Sequence, residues 1–546
     1  MNLGDDTMKK KKLQLGVFKS ILVTLVFALI FYYISHPAIN IHNILFYLYL
    51  VPVIAVYIIC RGVLHASLVL QDLGSGKLQF QNHKLSKIWI VIPAVLLLMF
   101  LTVVINSPVF NAKKYYQRIT IDETHSFQED ILEVDFNKLP LLDRDSSQKL
   151  GDRVMGGLSE LVSQYDVSDE YTQINYNDEI TRVTPLEYSD SIKWLMNREK
   201  GIPGYITVNS TTGKANLVKL KKGMKYAPSA LFNENLYRKL QFQYPTFNFD
   251  AINFEIDNNG DPFWIASVVK YHGINQRREV KGVVIFNPVN GESKFYSVSD
   301  VPEWVDHVYE AELILEQVND WGAYKKGFFN SFITQKDVVA TTTGYNYLAM
   351  NNDVYLYTGI TSVLADESNI GFILTNMRTK ETRFYAVSGA EEYSAMDSAK
   401  GQVQQMNYIS TFPLLINLNG KPTYLISLKD NAGLVKMYAF VDVVDYQKVV
   451  VTDASFGIEV AADNYLNKTG YDTPTEGLFE KDITVKNVVD VVVDGNTFYY
   501  FMDENDYRYK ASIKVNKDLL PFLKDGDVIH ISYQKEESVI SVSKIQ

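Results

Sequence analysis

The sequence has one cysteine, Cys60, in 546 residues. One chain therefore supplies no disulfide framework and no thiolate metal site, and a cysteine nucleophile is excluded outside the hydrophobic run that holds Cys60. The short motifs of common chemistries are missing too: there is no G-x-S-x-G elbow, P-loop, H-E-x-x-H or G-x-G-x-x-G. Of eight histidines, only His125, His272, His307 and His530 follow residue 106, and no pair of them has metal-ligand spacing. Charge is absent from Ile88 to Asn106, IWIVIPAVLLLMFLTVVIN. As a helix this run crosses ~30 Å of hydrocarbon.

What is present divides at that run. Residues 1–106 contain nine Lys/Arg against Asp5, Asp6 and Asp72, a balance of +6; the total of −10 leaves −16 for residues 107–546. An acidic remainder argues against a nucleic-acid partner, because phosphate is bound by Lys and Arg. Two further apolar runs, Gly16–Ser35 and Ile44–Cys60, precede the third. The first is longer than the ~7–15 apolar residues of a signal peptide, so three retained membrane helices are expected. Lys9–Lys12 precede the first, and Arg61, Lys77, Lys84 and Lys87 lie between the second and third. The basic residues predict a cytoplasmic N-terminus and place residues 107–546 outside, anchored to a lipid bilayer by the helices.

Outside, residues 107–190 form a membrane-proximal connector, with two strands expected around Asn177-Asp178. A repeat follows. KGVVIFNPVNGESKFYSVSD (281–300) and IGFILTNMRTKETRFYAVSG (370–389) align without a gap, matching at Gly282/Gly371, Asn287/Asn376, Phe295/Phe384 and Tyr296/Tyr385 among others. Fainter copies lie at 204–220 and 438–453. Each predicts a hairpin. Helical spacing at Asn235–Tyr244, stopped by Pro245, and at Ser398–Met406 places a helix ahead of two of them. The unit is one helix on an antiparallel sheet. Modules are expected over 191–300 and 301–462, then a linker, 463–481. Residues 482–546 show three strands, a short helix near Lys517–Leu523 and two strands, the order of an OB-type barrel, with an SH3-like barrel as the alternative.

The order of helix, strand, turn, strand and hairpin is similar to PepSY-type modules, which are associated with peptidase inhibition or regulation outside bacterial membranes. Residues 180–450, through phrases such as GIPGYITV (201–208), YPTFNFDAINFEIDNNGDPFWI (244–265) and GAEEYSAMDSAKGQVQ (389–404), resemble a family of Gram-positive multi-pass membrane proteins. That resemblance implies architecture and location, and no activity.

The expected fold class is thus a membrane-anchored α+β protein: three N-terminal helices, tandem sheet-and-helix modules outside, and a small C-terminal β-barrel. No catalytic, cofactor or metal residues are assigned. Asp257-Asn258-Asn259-Gly260-Asp261 has oxygen ligands for calcium but reads as a turn. Glu310, Glu312 and Glu316 beside Asp306 have the spacing of a solvated helix face rather than a glycosidase pair. In Pro302–Phe332, Val305, Val308, Leu313, Leu315 and Val318 give a buried helical face. Trp304, Trp321, Phe328, Phe329 and Phe332 form either more of that core or a surface for a bilayer or a partner helix. The expected function is a non-catalytic binding, scaffold or regulatory protein of the cell envelope, its partner another envelope or membrane protein or a wall polymer. An accessory subunit of a transport or secretion complex and an envelope hydrolase are the alternatives.

Overall fold

The computed structural model describes residues 3–73, 88–350, 352–363, 365–471, 479–493, 496–513, 515–533 and 539–546. It is a mixed α+β chain. Helices Leu3–Ser35 and Ile44–Leu73 come first, and within them Leu15–Ser35 and Ile44–Gly62 are long and apolar enough to cross a membrane. They pack through the stacked rings of Phe31 and Tyr49, 5.5 Å apart, and the Tyr49 hydroxyl donates to Ala28 O at 3.0 Å. The expected third span is helical over Ile88–Ile105. Its described end, Leu96–Ile105, meets helix Pro108–Tyr116 at a 49° bend, so the two make a third span only as one broken helix. Ser107 and Pro108 cause the break, since proline sits at the first position of the new helix. Lys77, Lys84 and Lys87 lie outside the described residues.

The chain divides into two compact units. One comprises Met1–His125 with Asn137–Ala386, the other Ser126–Phe136 with Val387–Gln546.

The first unit contains three sheets. In the first, Tyr165–Val167 and Thr172–Tyr176 pair side by side along Glu179–Tyr188, followed by Ile202–Asn209 and Ala215–Met224. Asn177 and Asp178 form its first turn with φ of 53° and 63°, values that Asn and Asp tolerate. Helix Arg144–Gly156 lies over the last two strands. Asp143 caps that helix, accepting from Ser146 N at 3.0 Å. The second sheet is the meander Asn248–Ile256, Pro262–Tyr271, Arg278–Phe286, Ser293–Ser297. Helix Leu236–Gln243 precedes it, capped by Asn235 and ended at Tyr244 ahead of Pro245, as its sequence predicts. The third sheet runs Val339–Thr341 and Asn346–Met350, then Asp353–Ser362, Ala365–Asn376 and Thr382–Tyr385, with Ile121–His125 added in parallel at the edge. Its helix is Ala311–Tyr324.

The period-two alternation of the second sheet sends its two faces into two cores. Phe254, Trp264, Val268 and Phe286 pack with Val183, Tyr205 and Val208 of the first sheet and with Leu236 and Leu240. Ile265, Val269, Val283 and Ile285 pack against Leu313, Ile314 and Val318 of the third module's helix, whose other contacts are Val354, Leu356 and Ile373. Fully buried side chains of this size each contribute about 2–3 kcal/mol of hydrophobic stabilisation.

The second unit repeats the plan once. Ile409–Ser410 and Leu414–Leu418 pair with Lys421–Lys429, then Val435–Asp442 and Val449–Asp453. Its helix spans Glu392–Gly401, earlier than the predicted Ser398–Met406, and faces the sheet with Ala395 and Ala399. A further helix, Ile458–Thr469, takes up the first part of the stretch expected as a linker, with Tyr465 fully buried. Residues 472–478 of that stretch, and Gly495, fall outside the described residues.

The C-terminal sheet has six strands in the order Phe479–Thr484, Val528–Tyr533, Ile540–Ile545, Arg508–Ser512, Asn496–Met502, Lys486–Val493. The two end members are consecutive in sequence, separated only by the buried Val485. Between Asn516 and Asp527 the expected helix is a single 3-10 turn, Leu520–Phe522, with Pro521 inside it.

Candidate functional site

Along strand Ile202–Asn209, Ile206 and Val208 are buried on one face, while Tyr205, itself buried against Phe254, shares the other face with Thr207 and Asn209. Thr181 on one neighbour and Asn216 and Val218 on the other extend that face. The second sheet covers its beginning, and the 257–260 turn of that sheet forms one wall. The result is an open cleft of about 470 Å³, closed off by Tyr176, Ile256, Asn259 and Gly260.

The cleft is lined by hydroxyls and amides. The Tyr205 hydroxyl donates to Gly260 O at 2.7 Å, fixing the turn against the sheet. Burial raises the Tyr205 pKa, so the phenol stays neutral. Asn209 Nδ2 donates to Glu179 Oε2 at 2.8 Å, and Asn209 Oδ1 accepts from Thr211 N and Thr212 N. Among the described residues that line it, Glu179 is the one carboxylate and Lys214 the one cation. The common carboxylate pair of glycoside hydrolysis is not among these lining residues. The chemistry of the cleft suits a neutral ligand rich in hydroxyl and amide groups, with the half-buried Tyr176 ring as an apolar platform. No sequence motif marks it. The available signal was the polar alternation Tyr205, Thr207, Asn209 within an otherwise apolar strand.

The turn at Asp257 uses its carboxylate internally. Asp257 Oδ1 accepts from Asn259 N and Asp261 N, both at 2.9 Å, which is the turn reading rather than the calcium one. Among the described residues no group of His, Cys, Asp and Glu is arranged to hold a metal ion.

The acidic residues near 306–316 separate into different environments. Asp306 is buried and accepts from Asn175 N at 2.7 Å. Glu255, fully buried, accepts from Asp306 N at 2.9 Å and His307 N at 3.0 Å, and His307 Nε2 lies 2.7 Å from Gln173 O. Burial raises the Glu255 pKa to about 7. Burial first, and the Glu255 charge second, raise that of Asp306 well above its ordinary value. Burial pushes the His307 imidazole down to about 4. Glu316 belongs instead to an ion network around Arg118, whose Nη1 reaches Glu316 at 2.9 Å and Asp320 at 2.7 Å while Nε reaches Glu279 at 2.9 Å. Lys400 is in an ion pair with Asp397 at 2.6 Å.

The five aromatic residues of Pro302–Phe332 do not form one surface. Trp304 packs on Phe263, and Trp321 is buried beneath Lys325. Both belong to the core of the third module. Phe328, Phe329 and Phe332 make a separate cluster with ring centroids 5.1–6.1 Å apart, and Phe329 and Phe332 are exposed. Val305 and Val308 are buried, but in the segment before the helix, held by Val308 N and Tyr309 N donating to Met377 O.

No protein-family model matches the chain, and no curated protein matches it in sequence.

Proposed function

We propose that the protein is a membrane-anchored binding protein of the bacterial cell envelope, non-catalytic, with residues 107–546 outside and the polar cleft as its ligand site. The observation that carries this reading is where the cleft stands relative to the apolar helices. The loop between them is bonded to the near end of the second module: Asn43 Nδ2 donates to Asn248 Oδ1 at 3.0 Å, and Ile39 N to Pro245 O at 2.7 Å. Asn248 begins the strand whose other end, Ile256, lines the cleft. Eight residue steps of a strand separate the cleft from this seam by about 26 Å. A stalk of that design presents a site to material beyond the bilayer, and the hydroxyl and amide lining favours a glycan segment of a wall polymer.

The same reading makes Ile88–Ile105 a third span, with the N-terminus cytoplasmic, and the sheet-and-helix units PepSY-like regulatory or scaffolding modules. The C-terminal sheet supports an OB-like barrel: its bent first strand, Phe479–Thr484 with Lys486–Val493, pairs at both ends of the six-strand path, and Arg508–Ser512 runs parallel to Ile540–Ile545. The exposed Phe329 and Phe332 favour a second contact, with another envelope protein.

Calorimetric titration of the full-length protein in detergent with N-acetylated glycan oligomers tests the cleft. Saturable binding is expected, weakened at least tenfold by Asn216→Ala or Tyr176→Ala, with no cleavage of the oligomer. Binding that both variants leave unchanged removes the cleft, and turnover of the oligomer removes the non-catalytic reading.

A further inference from the structure

We propose that the short helix Ser191–Asn197 and the adjoining Phe232 form a second membrane contact, an apolar foot that enters the headgroup region of the bilayer beside the first membrane helix. The helix exposes Ile192, Leu195 and Met196 at 65%, 61% and 71%, and Phe232 is 62% exposed next to them. Clusters of exposed large apolar residues on an otherwise soluble module mark an interaction surface. This one is rigidly built. Asp190 caps the helix, accepting from Ile192 N and Lys193 N at 2.8 Å. Trp194, 2% exposed, is its anchor: Nε1 donates to Glu234 Oε2 at 3.0 Å, and the ring lies 5.8 Å from that of Phe232.

The bilayer is the occupant because the foot is continuous with the end of Leu15–Ser35. Tyr33, in the last turn of that helix, donates its hydroxyl to Asn233 Oδ1 at 2.9 Å. Arg238 Nε donates to Tyr33 O at 2.8 Å, its guanidinium lies over the Tyr33 ring at 4.6 Å, and its Nη1 donates to Phe232 O. Phe232 is thus fixed one residue from a group bonded to the terminal tyrosine of an apolar span. Tyrosines at such ends sit at the level of the lipid headgroups. An apolar surface held at that height is covered by the outer edge of the hydrocarbon, as in interfacial helices. The inference rests on reading Leu15–Ser35 as a membrane span, and its test separates the two.

Full-length protein carrying Cys60→Ser is given one cysteine by Leu195→Cys, Met196→Cys, Leu25→Cys or Thr212→Cys, labelled with a small fluorophore, and placed in phosphatidylglycerol–phosphatidylethanolamine nanodiscs. Lipids bearing a nitroxide at the headgroup or deep in the acyl chain quench labels that touch them. Labels at 195 and 196 are expected to be quenched by the headgroup nitroxide at least threefold more than the label at 212, at the far end of the same sheet. The label at 25 is expected to respond to the deep nitroxide. Equal, weak quenching at 195, 196 and 212 with strong quenching at 25 overturns the foot and leaves the span intact. Labels at 195 and 196 shielded from aqueous iodide yet unquenched by lipid overturn it in favour of a protein partner or a second copy. An unquenched label at 25 overturns the span, and the foot with it.

Discussion

Asn287 and Asn376, 89 residues apart, hold their hairpins with the same pair of hydrogen bonds. Asn287 Oδ1 accepts from Val289 N at 2.9 Å and Asn290 N at 3.2 Å; Asn376 Oδ1 accepts from Arg378 N and Thr379 N, both at 2.9 Å. Asn209 does this in the first sheet and Asp442 in the fourth. The faint third and fourth copies of the repeat are therefore the same turn. Each side chain occupies N–H groups that the tight turn leaves without a strand partner. Asn287→Ala and Asn376→Ala should each cost about 1 kcal/mol, seen as a lower thermal midpoint of the detergent-solubilised protein. Unchanged midpoints in both would show that water replaces the side chain at no cost.

The glycines of the repeat predict larger losses. A Cβ on Gly371 would stand 2.3 Å from Tyr385 O and 2.6 Å from Phe384 Cζ, and one on Gly282 would stand 1.9 Å from Tyr296 O and 3.0 Å from Phe295 Cε2. The matched Gly, Phe and Tyr are one device: the aromatic ring lies across the strand where a side chain is absent. Gly371→Ala and Gly282→Ala must move a backbone carbonyl, so each should destabilise by about 2–3 kcal/mol. Gly16→Ala, inside helix Leu3–Ser35 and meeting nothing within 4 Å, is the control that should not destabilise.

Those local devices were legible in the sequence because turn and steric requirements act over a few neighbouring residues. Helix Leu236–Gln243 was legible too, through its Asn235 cap and Pro245 stop. Helix Glu392–Gly401 was misplaced because it faces its sheet with Ala395 and Ala399, which give no strong apolar period. Val305 and Val308 imitated a helical face, although they precede the helix: Val308 N and Tyr309 N donate to Met377 O, about seventy residues on, and both valine side chains are buried in the core of the third module. The cleft was not legible, since strands and a turn drawn from residues 176 to 260 assemble it through sheet pairing.

The buried Glu255–Asp306 pair predicts a pH dependence of known sign. A carboxyl whose pKa is raised by folding binds protons that the unfolded chain does not. Its contribution is full below the ordinary carboxylate range, about 4, and is lost as pH rises through the folded value, which for Glu255 is about 7. His307 acts oppositely, losing its contribution as pH falls from about 6.5 toward its folded value of about 4. Between pH 8 and 6.5 the carboxyls dominate, with the Asp353 charge reinforcing and Arg378 opposing the rise at Asp306. The thermal midpoint should increase from pH 8 to 6.5, and Glu255→Gln should flatten that increase. A wild-type midpoint that falls over this interval contradicts it.

Arg118 is the most heavily shared cation described. Its side chain is 2% exposed and serves Glu279, Glu316 and Asp320, while its Nη2 donates to Arg278 O at 2.5 Å. Arg118→Met leaves Asp320, 6% exposed, with Arg277 at 3.0 Å as its ion-pair partner. Breaking a buried pair from one side costs about 3–5 kcal/mol, so a loss near 3 is expected. Asp320→Asn should recover part of it, giving a coupling energy of at least about 1 kcal/mol in a double-mutant cycle. Additive losses would mean that Asp320 is held by Arg277 alone.

The loop between the first two helices and the second module must lie on one side of the membrane, because they are bonded directly. Asn275 N donates to His42 O at 2.9 Å, and Ile44 N donates to Asn275 Oδ1 at 2.8 Å. Basic residues favour the cytoplasmic side, and the segments bearing them are Lys9–Lys12 and Lys77–Lys87, with none between Ser35 and Asn43. In intact cells expressing the Cys60→Ser protein, an impermeant maleimide should therefore label Ile41→Cys and Thr212→Cys. Lys84→Cys should react only after the membrane is opened. Labelling of 41 and 212 from opposite sides would contradict the bonded seam. Labelling of all three from outside would leave the seam standing and invert the assignment of Lys84, so that neither Ile44–Gly62 nor the third apolar helix would cross the membrane.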